Sequence, residues 1–389
     1  MPNYDVLYKG MSFGEGPRWH DGRLYVSDFH THRVLAIAMD GKAEIVAQLS
    51  DQPSGIGFLP DGRMLVVSMH DRKVMRREHN GSLTVHADLS GVSKWTINDM
   101  LVDQDGRAWV GTMGFDEHSD NPIVPTPIIC VEPNGAAKIA SGDLYIPNGM
   151  VQTKDGRTLI VGETMGNRLT AFDKSSGALT NQRVWASFGE VPSSFDATKL
   201  AAQTNVSPDG ICIDAEGAIW LADAMHNRLL RVAEGGRILD KREMDPGMGA
   251  WACALGGADG SACAANVIHG YRLPERPRHV LCDEAPERIA RSARGERHYQ
   301  GYRARREGLR LCRRHTCSDE KYSEGSHSFV HGRDSLKSEF ETFVMLPRPG
   351  TRARNRDTPP HPAPGRSLAG VLLRCATCFA HRYAIQKAA

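Results

Sequence analysis

The first 259 residues contain few cysteines, and the chain has no long apolar run. Only Cys130, Cys212 and Cys253 fall in that part, too few and too scattered for a disulfide framework. The first ten residues show no basic segment followed by an apolar core, so no secretory signal is expected. The longest late apolar run, residues 368–373, is too short to cross a bilayer. The sequence therefore predicts a protein without a membrane partner, which we expect in the cytoplasm.

The near-neutral net charge averages two unlike segments. Residues 1–259 carry 24 Lys and Arg against 33 Asp and Glu, a net of −9, whereas residues 260–389 carry 24 against 13, a net of +11. The later segment has 21 Arg but only 3 Lys, and it holds six of the nine Cys. We therefore predict a globular region over residues 1–260 and a basic, largely disordered tail over residues 261–389.

A turn of an acidic residue followed by Gly recurs along the first segment, and in all but the last copy an apolar strand comes next. The turns are at Asp21-Gly22, Asp61-Gly62, Asp105-Gly106, Asp155-Gly156, Glu216-Gly217 and Asp259-Gly260. A second landmark follows at a fixed distance. A carboxylate residue ends this strand, and a basic residue five positions later begins the next strand. Its copies are Asp28 and Arg33, Glu163 and Arg168, and Asp223 and Arg228, with Ser68 and Lys73 as a weaker one.

This repeat predicts an all-β fold, a six-bladed β-propeller in which short meanders pack around a central channel. A β-sandwich is the alternative, but a sandwich does not repeat turn chemistry and strand order at this spacing. Residues 4–8 alternate as a strand before the first unit, and its natural place is in the last blade, where it would close the ring. The pattern stops after Gly260, so we expect the sixth blade to lack its second strand and to be incomplete, which would leave residues 4–8 unpaired.

One position near the start of each innermost strand is expected to face the channel. Counting back seven residues from each turn, or six for the first, gives a set that we call the ring positions: Glu15, Ser54, Asn98, Asn148, Asp209 and Ala252. Ser, Asn or Asp before Gly usually marks only a turn. Turn chemistry does not explain a Glu and an Asp at equivalent places, where two anionic groups would repel in a narrow channel. One divalent cation, Ca²⁺, Mg²⁺, Mn²⁺ or Zn²⁺, would remove that repulsion.

Five motifs in order at blade spacing resemble the regucalcin/gluconolactonase family, also called the senescence marker protein family. They are Gly14-Glu15-Gly16-Pro17, Asn98-Asp99 with Gly111-Thr112-Met113 downstream, Pro147-Asn148-Gly149, Pro208-Asp209-Gly210, and the run from Ala252 to Gly257. The resemblance spans residues 11 to about 260. It implies a six-bladed propeller with one divalent metal on its axis, and in many members the hydrolysis of sugar lactones.

The resemblance also implies residue roles. Glu15, Asn148 and Asp209 would be metal ligands, and Asp209 would also be the general base. Asn98 would lie close to the metal and hold substrate or water. Many sugar-lactonase members have an Arg two residues before Asn98, where this chain has Thr96, so a different preference among lactones is expected.

The linkers over residues 114–127 and 186–206 are long for propeller loops, and each is expected to be either a lid over the channel or solvated surface. Three interpretations compete for the tail. It could bind nucleic acid, it could bind zinc through Cys312, Cys317, Cys375 and Cys378, or it could be translated from a shifted reading frame. The scarcity of Lys and the single Cys-x-x-Cys disfavour the first two, and a repeat that breaks within a unit favours the third.

The sequence thus predicts a metal-dependent hydrolase that opens a small lactone to the hydroxy acid, with Asp209 accepting a proton from water. The alternatives are a propeller that binds a metal or a partner without catalysis, and an inactive product of a frameshifted gene.

Overall fold

The computed structural model of the chain describes residues 4–115, 122–193, 197–245, 248–256, 263–270 and 341–347. Their regular secondary structure is almost entirely β-strand, with turns and loops between the strands. The first strand is β1 (Tyr4–Met11). Sheet one contains β2 (Gly14–His20), β3 (Arg23–Asp28), β4 (Arg33–Ile37) and β5 (Ala43–Gln48). Sheet two contains β6 (Pro53–Phe58), β7 (Met64–Ser68), β8 (Lys73–Arg77) and β9 (Leu83–Asp88). Sheet three contains β10 (Ile97–Val102), β11 (Ala108–Thr112), β12 (Ile129–Val131) and β13 (Ala137–Ile139).

Two further sheets follow in the same pattern. Sheet four contains β14 (Pro147–Gln152), β15 (Thr158–Glu163), β16 (Arg168–Ser175) and β17 (Ala178–Ser187). A short helix, α1 (Ala197–Gln203), precedes sheet five, which contains β18 (Pro208–Ile213), β19 (Ile219–Asp223), β20 (Arg228–Val232) and β21 (Ile238–Glu243). In each of the five sheets consecutive strands pair antiparallel, and the sheets form blades 1 to 5 of a β-propeller. The predicted repeat is confirmed for these five units.

The acidic-Gly turns join the first and second strands of the blades, as the sequence predicts. Gly62, for example, has a φ of +84°, a left-handed conformation that costs Gly little and other residues more. The core lies between blades. Val34 of blade 1 and Ile56 of blade 2 are fully buried in one cluster, and Leu169 of blade 4 packs in another with Ile211 of blade 5. Each fully buried side chain of this size contributes about 1.5–3 kcal/mol.

Strands from three distant parts of the chain form a further four-stranded sheet. It contains β22 (Met248–Gly256), β23 (Cys263–Gly270) and β24 (Glu341–Pro347), and its strand order is β22, β23, β24, β1. The strands pair antiparallel, with Met248 opposite Gly270 in one ladder and Tyr4 opposite Pro347 in another.

This sheet differs from the expectation that no strand follows the turn at Gly260 and that residues 4–8 are left unpaired. Residues 263–270 are mostly small and do not show an apolar strand pattern, yet their backbone groups supply a ladder that does not depend on side-chain type. The edge of this strand is then covered by β24, which shares its other edge with β1. The zinc hypothesis for Cys312, Cys317, Cys375 and Cys378 concerns residues outside the described ones. Of the tail that we expect to be disordered, residues 263–270 and 341–347 are described, and both are strands; the rest lies outside the described residues. In the part of the chain that is described, no helix has the length and apolar character needed to cross a membrane.

The carboxylates of the second sequence landmark are fully buried and form ion pairs with the predicted arginines. The pairs are Asp28–Arg33 at 2.9 Å, Glu163–Arg168 at 2.6 Å and Asp223–Arg228 at 2.7 Å. Each carboxylate also accepts a hydrogen bond from a backbone N–H just before the first strand of its own blade. The donors are Ser12 at 2.7 Å, Tyr145 at 2.9 Å and Ser207 at 2.8 Å. The landmark therefore joins three parts of a blade.

Replacing Asp223 by Ala should lower the free energy of unfolding by about 3 kcal/mol, because Arg228 and the Ser207 N–H then lose a buried partner. The matched control is Asp173→Ala, which removes an exposed ion pair with Arg183 and should leave the urea midpoint nearly unchanged. Equal midpoints for the two variants would show that the buried pair does not stabilise the blade.

Asp51 should make stability depend on acid pH. Burial opposes its ionisation, but hydrogen bonds from His70 and from the N–H groups of Gln52 and Asp71 outweigh burial and lower the pKa of Asp51 to about 2. A lowered folded-state pKa gives a stabilisation that is present above the ordinary pKa of 3.8 and is lost as pH falls toward 2. Urea titrations should show Asp51→Asn less stable than the parent at pH 6, with the difference shrinking below pH 4. A difference that stays constant with pH would contradict this, and Asp143→Asn at an exposed position is the control.

Candidate functional site

The ring positions lie inside the first strands of the sheets, and not in turns. Glu15 is in β2, Asn98 in β10, Asn148 in β14 and Asp209 in β18. The interpretation that these residues merely mark turns is therefore wrong.

A β-bulge occurs at this place in every first strand. In β18, Pro208 is opposite Asp223 and Ile211 is opposite Leu221, so Asp209 and Gly210 share one opposing residue. The same shift in pairing occurs in the others, between Glu15 and Arg18, Pro53 and Ile56, Ile97 and Met100, Pro147 and Met150, and Ala250 and Ala252. A bulge re-aims side chains and is common beside active sites.

Glycines after the ring positions let neighbouring blades approach closely. A Cβ added to Gly16 would lie 2.6 Å from the carbonyl oxygen of Ser54, and one added to Gly149 would lie 2.5 Å from that of Asp209. Real Cβ atoms do not approach so near. The structure therefore brings Glu15 alongside Ser54, and Asn148 alongside Asp209.

Two asparagines at ring positions are held in opposite orientations. The Ser54 hydroxyl donates to Oδ1 of Asn98 at 2.9 Å, so the amide NH₂ of Asn98 is left to donate elsewhere. Asn148 instead donates through Nδ2 to the Thr164 hydroxyl at 3.1 Å, and Thr164 donates to the Pro208 carbonyl at 2.9 Å. The amide oxygen of Asn148 is thus left to accept or to ligate. One site is suited to a donor role and the other to an acceptor role.

The site carboxylates are deeply buried. Asp209 is 1% exposed and Glu15 is 8% exposed, while Asn148 is 5% exposed. A third carboxylate, Asp99, is also buried but forms an ion pair with Arg18 at 3.3 Å. Arg18 belongs to β2, so this charge is balanced from across the sheets. Burying an ionised carboxylate is costly unless a charge or hydrogen bonds compensate it.

The donor set fits a hard divalent cation. It consists of the two carboxylates of Glu15 and Asp209 and the amide oxygen of Asn148, which are the ligand types that Ca²⁺ and Mg²⁺ prefer. Within the described ranges no group of three or more His, Cys, Asp and Glu side chains is arranged to hold a metal. The expected set contains only two such side chains, because its third member is an amide.

Thr96 is placed by a hydrogen bond that recurs in five blades. Its carbonyl accepts from the N–H of Met113 at 2.9 Å, which directly follows the second strand of the blade. The equivalent bonds run from Phe29 to Phe13, Met69 to Gln52, Thr164 to Ile146 and Ala224 to Ser207. Thr96 is half-buried. It therefore occupies the position two residues before a ring position, as its spacing predicts.

The two long linkers meet in one apolar cluster. Phe115 and Ile123 of the first linker and Leu200 of the second pack with Met113 and Met165, which follow second strands. Each linker was expected to be either a lid or solvated surface. The described parts of both linkers are packed against the blades. Residues 116–121 lie outside the described ones.

Sequence reasoning missed an aromatic group beside the ring positions. Trp251 precedes Ala252, and Phe13 lies two residues before Glu15, with their ring centroids 5.7 Å apart. Phe13 lies equally near Phe29. No local pattern relates two residues so far apart in the chain, so the sequence carried no signal for this pair.

The comparisons with known proteins agree on one family. Residues 13–262 match the SMP-30/Gluconolactonase/LRE-like region. The chain is 27% identical to regucalcin of Danio rerio over 181 residues, which cover 46% of this chain and 56% of that protein. It is 25% identical to pentonolactonase XacC of Haloferax volcanii over 221 residues, which cover 56% of this chain and 68% of that protein.

A solved structure agrees on the fold. A calcium-binding protein, regucalcin, from Agrobacterium tumefaciens superimposes with a TM-score of 0.54 at 24% identity, covering 66% of this chain and 82% of that one. The family match covers more than half of the chain and includes all the ring positions. This chain therefore belongs to the SMP-30/gluconolactonase/LRE-like family.

Proposed function

We propose that this chain is a metal-dependent lactonase whose site is built on the ring positions. The observation that carries the proposal is that Asn148 and Asp209 lie in the bulges of their first strands and Glu15 directly before the bulge of its own, in a chain of this family. The pentonolactonase relative supports lactone hydrolysis as the reaction class.

The proposal includes a closed ring of six blades with the site on its axis. First strands contact one another in the order β2, β6, β10, β14, β18 and β22, and β22 contacts β2 again. In this arrangement the sheet of β22, β23, β24 and β1 is the sixth blade. It would join the N-terminal strand to later parts of the chain and leave no open edge in the ring.

Glu15, Asn148 and Asp209 would hold one divalent cation. When bound, such a cation supplies Lewis-acid polarisation of a carbonyl oxygen and favours the ionisation of a nearby water. The two carboxylates would balance its charge, and the bond from Asn148 to Thr164 would keep the amide oxygen turned toward it. Regucalcin of the Agrobacterium structure is described as a calcium-binding protein, which supports a divalent cation here.

Asp209 would act as the general base. The oxygen of a water attacks the lactone carbonyl carbon while the Asp209 carboxylate takes its proton. The ring C–O bond then breaks, and Asp209 returns the proton to the released ring oxygen, which gives the hydroxy acid and restores the carboxylate. Asn98, whose oxygen is occupied by Ser54, would donate its NH₂ to a substrate oxygen. The packed linkers would exclude water from the mouth of the site.

Asp209→Ala should weaken the binding of Mn²⁺ or Ca²⁺ by more than about tenfold, since removing even an outer partner of a metal site costs about that much. Lactone turnover should fall about 100-fold or more with the loss of the base. Titration calorimetry measures the first and initial rates the second. Asp155→Ala, in an exposed turn, should change neither. Parental metal binding and turnover in Asp209→Ala would show that the site assignment is wrong, and metal binding by the parent chain without any turnover would favour the non-catalytic propeller.

Because Thr96 stands where many sugar-lactonase members have an Arg, the substrate preference of this chain should be shifted toward less hydroxylated lactones. Its side chain cannot make the charged, forked hydrogen bonds that an Arg offers a polyhydroxylated substrate. We expect Thr96→Arg to raise kcat/KM for glucono-δ-lactone relative to δ-valerolactone, and Thr96→Ala to change this ratio little. The ratio is measured from initial rates on both substrates. A strong parental preference for glucono-δ-lactone that persists in Thr96→Ala would contradict the prediction.

A further inference from the structure

We infer that Trp251 and Phe13 form an apolar wall of the substrate site, and that the substrate is a lactone with an apolar substituent on its ring. The inference rests on the proposed lactonase function and specifies its substrate class.

Trp251 lies on the β-bulge of β22. Ala250 is opposite Ile268 and Ala252 is opposite Val267, so Trp251 is the extra residue of β22. In blades 2 to 5 the equivalent bulges carry the polar ring positions, Asp209 among them. Counting back from the turn gives Ala252 as the sixth ring position, but the strand pairing puts Trp251, one residue earlier, on the sixth bulge. The side chain of Trp251 therefore takes the sixth place in the ring. It is aromatic where the others are polar.

The backbones of Trp251 and Phe13 lie near those of the two site carboxylates. A Cβ on Gly210, the residue after Asp209, would lie 3.3 Å from the carbonyl oxygen of Trp251. Phe13 is two residues before Glu15, and its ring lies 5.7 Å from that of Trp251 at an angle of 52°. The two neighbouring rings are therefore carried by the chain segments that also carry Glu15 and adjoin Asp209. Trp251 is half-buried, so part of its surface is open to a ligand.

The residues two positions before the ring positions are Phe13, Gln52, Thr96, Ile146 and Ser207 in blades 1 to 5. Two are apolar and none is charged, so no charged side chain at these places can bind several hydroxyl groups at once. The Ser207 hydroxyl already donates to the Thr164 carbonyl at 2.9 Å. A sugar lactone presents several hydroxyl groups that each need a partner when desolvated, whereas an alkyl or aryl group needs only apolar contact.

The test uses the full chain, Mn²⁺, and three lactones with the same six-membered ring. They are δ-valerolactone without a substituent, δ-decalactone with a five-carbon alkyl chain, and polyhydroxylated glucono-δ-lactone. We expect kcat/KM for δ-decalactone to exceed that for δ-valerolactone by about tenfold or more, the scale of discrimination by an apolar pocket. Trp251→Ala should remove this advantage, mainly through KM, so that the ratio of kcat/KM for δ-decalactone to that for δ-valerolactone falls by about tenfold. Trp251→Phe should keep most of it, because an aromatic face remains.

The outcomes separate this inference from the function on which it rests. A parental preference for glucono-δ-lactone, or an equal loss on all three lactones in Trp251→Ala with Trp251→Phe fully active, would overturn the wall and leave the lactonase standing. Failure of the parent chain to hydrolyse any of the three with metal present would overturn the lactonase and the wall together.

Discussion

The buried carboxylate that ends a second strand holds together the blade in which the site is built. Asp223 receives a charged hydrogen bond from Arg228 and a backbone hydrogen bond from Ser207, and it is fully buried. A buried charge is tolerated only when such partners are in place. The carboxylate therefore fixes the third strand and the start of the first strand at the same time. Asp209 lies two residues after Ser207, so its position depends on this buried group.

Within blades held together in this way, the β-bulge of each first strand determines the geometry of the proposed site. The bulge in each first strand places a side chain differently from a regular strand, and the glycine after it allows the next blade to approach. Hydrogen bonds then determine which atoms of each amide remain available. Ser54 occupies the oxygen of Asn98 and leaves its NH₂ to donate, whereas Thr164 accepts from the NH₂ of Asn148 and leaves its oxygen to accept. The same residue type is thereby suited to the proposed substrate contact in one blade and to the proposed cation contact in another.

The family and the fold do not by themselves specify the substrate, because function depends on the site that a fold carries. The carboxylates and amides of this site follow the family resemblance. Thr96 departs from it, and Trp251 places an aromatic side chain on the sixth bulge. The first change leaves out a charged partner for hydroxyl groups, and the second adds apolar surface. Both changes agree with the proposal of a lactonase whose substrate is less polar than a sugar lactone.

The sequence alone determined the features that are written in short windows of the chain. The turns, the strand order of five blades, the carboxylate–arginine spacing and the place of Glu15 or Asp209 within a unit follow from local pattern and turn chemistry. Tertiary structure decided the rest. The pairing of Cys263–Gly270 with β22, and of β1 with Glu341–Pro347, joins segments that local pattern cannot relate, since ladder hydrogen bonds are made by the backbone of any sequence. The meeting of Trp251 with Phe13 was likewise invisible in the sequence, because it arises only when the first and last sheets lie side by side.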